Sequence, residues 1–175
     1  VGDKKDPCRT TTYGVGELVR HAVEQGARHI ILGLGGSATN DGGCGCAAAL
    51  GVKFTDKDGK EFVPVGGTLD QIAGIDVTAA RELLKDVELT AMCDIDNPMY
   101  GERGAAYIFG PQKGADDAMV KFLDDQLRAM DAAIIKCLGL HVADLPGAGA
   151  AGAFGAGCVA FLGAKLKSGI ETVLD

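Results

Sequence analysis

The chain has 175 residues, of which 47% are hydrophobic and 23% are charged, with 24 acidic and 17 basic side chains. This length and composition are typical of one globular domain that buries its own core. The net charge of −7 argues against binding to nucleic acid or to an anionic membrane surface. We therefore expect a cytoplasmic protein with small-molecule ligands, in which any anion is recognised by a local site.

The first half of the chain predicts a helix, a strand, a second helix and a hairpin. Apolar spacing indicates a helix over about residues 15–25, and an apolar run indicates a buried strand over 29–32. An alanine-rich run predicts a helix that ends near Leu50. Two short apolar stretches within residues 52–63 flank Asp58-Gly59, which is a common hairpin turn.

The second half predicts further helices around another strand. A short helix through Leu84 precedes a buried strand over 87–92, and a loop then extends to about Gly114. Apolar residues at helical spacing predict a long helix over 115–138, and a last helix is expected around 154–166. This order of elements predicts a layered α/β/α domain, and the hairpin indicates that its sheet is mixed.

Residues 145–164 carry no charge over a length that would span a membrane. They are mostly glycine and alanine, which gain little from contact with lipid. We interpret this segment as a buried helix with its entry loop, and we expect no association with a membrane.

The segment 33–43, GLGGSATNDGG, follows the first predicted strand and precedes a helix. Glycine allows a backbone to approach a ligand closely, and the first N–H groups of a helix have no partner within it. The segment therefore predicts an anion site at the end of a strand.

The same segment also matches the loose dinucleotide pattern Gly33-x-Gly35-x-x-Ala38. The acidic residues expected about twenty positions later, Asp56 and Asp58, fall in the predicted hairpin turn, which disfavours that interpretation. The Walker A pattern Gly-x-x-x-x-Gly-Lys-Ser/Thr is absent from the sequence.

Three further loops carry polar or glycine-rich motifs. Asp94 follows a predicted strand, where a carboxylate suits Mg²⁺, although Asp96-Asn97-Pro98 equally predicts an Asx turn. Lys113 near a loop-to-helix junction suits a phosphate or carboxylate, or else is a solvated charge. The glycines of 146–152 indicate tight helix packing. Together the loops favour a small anionic or phosphorylated ligand without naming a reaction.

At these same residues the chain resembles the type 1 glycerate kinases. The matching segments are Asp6-Pro7, Thr11-Thr12, 14–18 (GVGEL), 33–43, Cys93-Asp94, Asn97-Pro98, Gly101, Gly104-Ala105, 109–115 (FGPQKGA), 146–152 (PGAGAAG) and 166–171 (LKSGIE). The resemblance covers essentially the whole chain. One departure is Ala153, at a position where many members of the family carry glycine.

The resemblance implies that residues 1–175 are the central, inserted domain of a two-domain kinase, without its flanking Rossmann-like domain. The implied reaction transfers the γ-phosphoryl group of ATP to D-glycerate, giving 2-phosphoglycerate, with Mg²⁺ as a cofactor. We expect the isolated domain to be inactive. Two alternatives are a non-catalytic module that binds a small anion or nucleotide, and an oxidoreductase that binds a nucleotide cofactor.

The resemblance and the residue types together suggest roles for individual side chains. Asp94 is expected to hold Mg²⁺ or to orient the attacking hydroxyl group, with Asp41 as the second choice, and Lys113 is expected to neutralise phosphate charge. The expected substrate- and phosphate-binding residues are Gly35, Gly36, Ser37, Asn40, Asn97, Gln112, Gly147 and Gly149.

Overall fold

The computed structural model describes residues 5–169, which form six helices and six strands. The helices are α1 (Tyr13–Glu24), α2 (Cys44–Ala49), α3 (Thr78–Leu83), α4 (Ala105–Phe109), α5 (Asp117–Leu138) and α6 (Ala150–Leu162). The strands are β1 (His29–Gly33), β2 (Lys53–Thr55), β3 (Glu61–Phe62), β4 (Gly74–Asp76), β5 (Glu88–Met92) and β6 (Lys165–Lys167). Single turns of 3₁₀ helix occupy Leu69–Gln71 and Pro111–Lys113.

A three-stranded parallel sheet in the order β1-β5-β6 places the predicted loops at one edge. Gly33 pairs with Met92, and Met92 pairs with Lys167, so the three strands end at the same level. The Leu34 N–H donates to Met92 O at 2.8 Å and extends this pairing by one residue. The glycine-rich loop after β1 and the Asp94 loop after β5 therefore leave the sheet side by side, as expected for carboxyl ends of parallel strands.

The predicted hairpin is present as β2 and β3, and it belongs to a second sheet. That sheet is antiparallel, in the order β3-β2-β4, because β4 pairs with the free side of β2. The α/β fold class is confirmed, but the prediction of a mixed sheet is wrong, because the hairpin pairs with β4 and leaves the parallel and antiparallel strands in separate sheets. The ring of Phe54 on β2 packs edge-on against Phe161 of α6, with the ring centres 5.2 Å apart.

The longer elements lie close to the predicted positions, whereas the short ones differ. Helix α4 occupies part of a segment predicted as loop, and the three-residue strands β4 and β6 were not predicted. Helix α6 spans Ala150–Leu162, but residues 151–153 have left-handed backbone angles, so its regular right-handed part begins at about Phe154, as predicted. It ends before the predicted residue 166, because β6 follows it. Strand β1, predicted to be buried, exposes one face, with Ile31 58% exposed.

Helix α6 is almost entirely buried, as predicted for the charge-free segment, and its small residues allow very close packing. A Cβ atom at Gly157 would overlap Gly42 O, and one at Gly155 would overlap Gly147 O. The backbone of α6 therefore packs directly against the glycine-rich loops. No helix within residues 5–169 combines the length and the apolar character that crossing a membrane requires.

Candidate functional site

Two neighbouring cavities lie where the glycine-rich loop leaves β1. The first, called here the lysine cavity, has a volume of about 220 Å³. It is lined by Leu34, Gly35, Gly36, Ser37, Ile95, Phe109, Gln112, Lys113 and Ala151. The second, the threonine cavity, has a volume of about 260 Å³. It is lined by Thr11, Thr12, Val15, Leu32, Gly33, Leu34, Gly35, Ser37, Ala38, Thr39, Ala151 and Phe154.

Lys113 places a buried ammonium group beside the lysine cavity. The residue is only 3% exposed, and its Nζ donates a hydrogen bond of 2.6 Å to Thr39 O. Burial lowers the pKa of Lys113 from 10.5 to about 8, although the charge of Asp41 opposes this shift. An ammonium carries three donors, and Thr39 O is its one partner among the described residues. A solvated charge is therefore excluded, and an anion in the cavity would gain a charged donor.

The Gly35-Gly36-Ser37 segment provides an open backbone surface to the same cavity. Gly36 has a φ of +59°, and a Cβ atom added to Gly35 or Gly36 would meet no heavy atom within 4 Å. The Ser37 hydroxyl accepts a hydrogen bond of 3.0 Å from the Thr39 N–H, which fixes the turn. The structure thus brings Gly35, Gly36 and Ser37 together with Gln112 and Lys113, as the sequence suggested.

Asp41 is fully buried and lies behind the cavities, without lining either of them. Its carboxylate accepts hydrogen bonds from Thr12 N at 2.8 Å, Thr12 Oγ1 at 2.9 Å, Gly43 N at 3.1 Å and Gly45 N at 3.3 Å. Burial raises the pKa of Asp41, while these four hydrogen bonds lower it. Because the carboxylate occupies the start of α2, the anion site predicted at that helix end is filled by the protein itself.

Thr12 links the same network to α1 and α2. It stands at the N-cap position of α1, yet its hydroxyl group donates to Asp41 and accepts from the Cys46 N–H at 2.9 Å. Gly16 of α1 allows α1 and α2 to pack closely, since a Cβ atom at this position would overlap Cys46 O. Thr12 and Asp41 therefore position the loop between β1 and α2.

Asp94 lies at the same edge of the sheet, in an exposed position just after β5. Its Oδ1 accepts a hydrogen bond of 3.0 Å from the Gly169 N–H, and its neighbour Ile95 lines the lysine cavity. Residues 5–169 contain no cluster of three or more His, Cys, Asp or Glu side chains that would hold a metal ion. A single carboxylate nevertheless suits Mg²⁺, which takes one or two protein carboxylates and completes its shell with phosphates and water.

Four of the expected binding residues lie outside both cavities: Asn40, Asn97, Gly147 and Gly149. Asn97 stabilises its own loop, because its Nδ2 donates to Arg103 O at 2.7 Å. A Cβ atom at Gly147 would overlap Cys93 Sγ, and one at Gly149 would overlap Pro98 O. These two glycines serve close packing, which was the alternative interpretation of their loop.

The side chain of Asn40 is completely buried. Neither Nδ2 nor Oδ1 of its amide has a hydrogen-bond partner among the described residues. The side chain is not exposed at either cavity, so the structure gives it no contact with a ligand.

Several residues that line the cavities were not among the expected site residues, and Thr39 and Ala151 are two of them. Thr39 contributes its backbone oxygen to Lys113, and Ala151 lines both cavities. Both belong to motifs that the sequence singled out, but a backbone acceptor and a methyl group carry no chemical signal in a sequence. Their proximity to Ser37 and Lys113 is visible only in the folded chain.

The geometry also disfavours the dinucleotide interpretation. Helix α2 begins only at Cys44, so the early glycines of the pattern do not start a helix. Strand β2, which follows α2, belongs to the antiparallel sheet instead of lying beside β1. Asp56 accepts hydrogen bonds of 2.9 Å from the backbone N–H groups of Asp58 and Lys60, which fixes the hairpin turn.

Comparison with known proteins assigns the chain to a family. The sequence profile of the glycerate kinase family matches residues 1–175. The chain is 51% identical to a glycerate kinase of Bacillus cereus over 172 residues, which are 98% of this chain and 45% of that protein. It is also 51% identical to a glycerate 2-kinase of Escherichia coli K12 over 171 residues, again 98% of this chain and 45% of that protein.

A solved structure agrees with these sequence matches. The crystal structure of a protein assigned as glycerate kinase 2 from Salmonella typhimurium LT2 superposes with a TM-score of 0.94 at 44% identity. The alignment covers 100% of this chain and 47% of that one. The chain thus spans about half the length of the relatives it matches, and it belongs to the glycerate kinase family.

Proposed function

We propose that this chain forms one wall of the active site of an ATP-dependent glycerate kinase that produces 2-phosphoglycerate. The observation that carries the proposal is the buried ammonium group of Lys113 beside the open Gly35-Gly36-Ser37 backbone, in a member of this family. Phosphoryl transfer depends mainly on positioning and on stabilising negative charge, and a desolvated cation next to free backbone groups suits both tasks.

The size of the lysine cavity supports a small acid as its occupant. Its volume of about 220 Å³ is below the range of about 300–1,000 Å³ that pockets for drug-sized ligands occupy. We infer that the carboxylate of glycerate lies against Lys113, with Gln112 and Ser37 as polar partners. ATP is too large for either cavity alone, so only its terminal phosphates would reach the Gly35-Gly36 backbone, which borders the acid.

The rest of the nucleotide would need a second wall, and exposed apolar residues on β1 and α1 are suited to contact further structure. Parallel sheets are normally covered on both faces, whereas Ile31 on β1 is 58% exposed. On α1, Leu18 is 72% exposed. We infer that the remaining half of the longer family protein supplies this second wall as the missing domain.

The test compares the full-length protein that contains this chain with residues 1–175 alone. We expect the full-length protein to convert ATP and D-glycerate to ADP and 2-phosphoglycerate, with the product identified by NMR of the phosphorylated carbon. The shorter chain should bind glycerate weakly and show little turnover, because one wall of the cleft is missing. Ligand binding without turnover in the full-length protein would instead support a non-catalytic binding module.

Asp94 is proposed to hold Mg²⁺ or to orient the attacking hydroxyl group of glycerate. Bound Mg²⁺ would neutralise charge on the transferring phosphoryl group. In the full-length protein, Asp94→Asn should lower kcat by about 10²- to 10⁴-fold. Stability should change little, since Asn keeps an oxygen that can accept from the Gly169 N–H, as Asp94 Oδ1 does at 3.0 Å.

Asp96→Asn is the matched control for this prediction, measured by the same coupled assay. Asp96 lies two residues away and is exposed, with its Oδ1 3.6 Å from Arg103 Nη2. The control should keep turnover within about twofold, because exposed ion pairs contribute little. Near-normal turnover by the Asp94 variant would remove that residue from the mechanism.

A further inference from the structure

Ala151 lies at the boundary between the two cavities. Four residues line both cavities, namely Leu34, Gly35, Ser37 and Ala151. The first three belong to the loop after β1, whereas Ala151 comes from the start of α6, more than a hundred residues later in the chain. The common wall of the cavities is therefore completed by one residue from a separate element, and the only side-chain carbon of that residue is a methyl group.

The backbone at Ala151 adopts a conformation that residues with a Cβ atom rarely take. Its φ and ψ are +53° and +45°, and Gly152 and Ala153 continue in the same left-handed region. Alanine is disfavoured there because its Cβ atom approaches the following carbonyl oxygen. Such conformations persist where the surrounding structure imposes them, and they concentrate at ligand-binding sites.

The surrounding contacts show what imposes this turn. The Gly42 N–H donates to Gly152 O at 3.0 Å, and the Ala153 N–H donates to Gly149 O at 3.2 Å. The backbone of Gly152 also lies directly against Thr39, whose carbonyl oxygen accepts from Lys113. The position of the Ala151 methyl group is thus fixed by its backbone, and a larger ligand could not displace it by rotating a side chain.

We propose that Ala151 is a specificity-determining residue, whose methyl group limits the length of the hydroxy acid that the lysine cavity accepts. The inference rests on the proposed function, because it assumes that glycerate occupies this site. Glycine adopts the same backbone conformation without a Cβ atom. An Ala151→Gly substitution therefore removes the methyl group and leaves the turn intact, which makes the role of that group measurable.

The experiment uses the full-length protein and two acids, D-glycerate and a four-carbon trihydroxy acid with the same configuration at C2. For Ala151→Gly we expect kcat/KM for the larger acid, relative to glycerate, to rise about fivefold to tenfold. Ala151→Asn should raise KM for glycerate by about tenfold or more, since Asn tolerates a left-handed backbone and adds volume to the cleft. Thermal unfolding of each variant confirms that it is folded.

Ala153→Gly is the matched control, because Ala153 has a φ of +66° and is completely buried. It lines neither cavity. In this variant, kcat/KM for the larger acid relative to glycerate should stay within about twofold of the wild-type value. An unchanged kcat/KM ratio in Ala151→Gly, or an equal change in both glycine variants, would overturn the inference. In that case, glycerate phosphorylation by the wild type would still support the proposed function. A wild-type protein that does not phosphorylate glycerate would contradict the proposed function itself.

Discussion

Replacing Gly152 with alanine should strongly destabilise the domain. Gly152 has a φ of +71°, and an added Cβ atom would overlap Thr39 O and approach Asn40 Cα to 2.7 Å. The left-handed conformation alone costs about 1–2 kcal/mol for a residue with a Cβ atom. The neighbouring atoms are backbone and cannot rotate away, so overpacking adds about 1–3 kcal/mol or more. We expect a total loss of about 2–5 kcal/mol, at the upper end of the effects of single substitutions.

Gly59→Ala separates the two contributions in this prediction. Gly59 has a φ of +78°, but a Cβ atom there would meet no heavy atom within 4 Å. This variant should lose only the conformational cost of about 1–2 kcal/mol. Urea unfolding of both variants and the wild type measures the difference. Equal losses in the two variants would show that the close contact between Gly152 and Thr39 contributes nothing.

The contact at Gly152 also connects the fold to the proposed chemistry. Gly152 packs on Thr39 and accepts from the Gly42 N–H, and Thr39 O in turn accepts from Lys113 Nζ. The start of α6 therefore supports the back of the loop that holds the ammonium group. A Gly152 variant that remains folded should lose ligand affinity together with stability.

The elements that the sequence predicted well are those with long, regular patterns. Helix α5 repeats its apolar residues over twenty-two positions, and β1 contains an apolar run that a glycine-rich loop follows. Strands β4 and β6 have three residues each, too few for a periodicity to be visible. Helix α4 is five residues long and lies between Gly104 and Gly110, so its flanking glycines favoured a loop.

Residue type predicted some of the site residues correctly but not the role of others. Chemical residue types pointed to Ser37 and Lys113, and both line the lysine cavity. Residue type alone could not distinguish a carboxylate that meets a ligand from one that holds a loop, and Asp41 is of the second kind. The burial of Lys113 depends on a partner 74 residues away, a separation over which sequence patterns carry no information.

Removing the charge of Lys113 should abolish most activity while leaving the domain folded. In the full-length protein, Lys113→Met should lower kcat/KM for glycerate by about 10²- to 10³-fold, because the buried ammonium group is proposed to hold the glycerate carboxylate in position for phosphoryl transfer. The control is Lys121→Met on α5, which removes an exposed lysine that pairs with Asp125 at 2.9 Å. That control should keep kcat/KM within about twofold. Activity retained by the Lys113 variant would contradict the proposed role of the ammonium group.

The stability of the wild type relative to Lys113→Met should depend on pH. Because burial lowers the pKa of Lys113 from 10.5 to about 8, the folded protein releases this proton at a lower pH than the unfolded chain. Below pH 8 both states are protonated, and the buried charge costs the wild type about 3 kcal/mol. As pH rises from about 8 to 10.5 this cost disappears, so wild-type stability should increase relative to Lys113→Met.

These opposing effects on stability and activity distinguish a ligand-binding lysine from a structural one. At pH 7 the methionine variant avoids the cost of the buried charge but leaves Thr39 O without its donor, a loss of about 1–3 kcal/mol. Its stability should therefore lie within about 2 kcal/mol of the wild type. In the wild type, kcat/KM should fall as pH rises above about 8, because the neutral amine attracts the acid less strongly. A structural lysine would instead give a variant with reduced stability at pH 7 and an unchanged pH profile of kcat/KM.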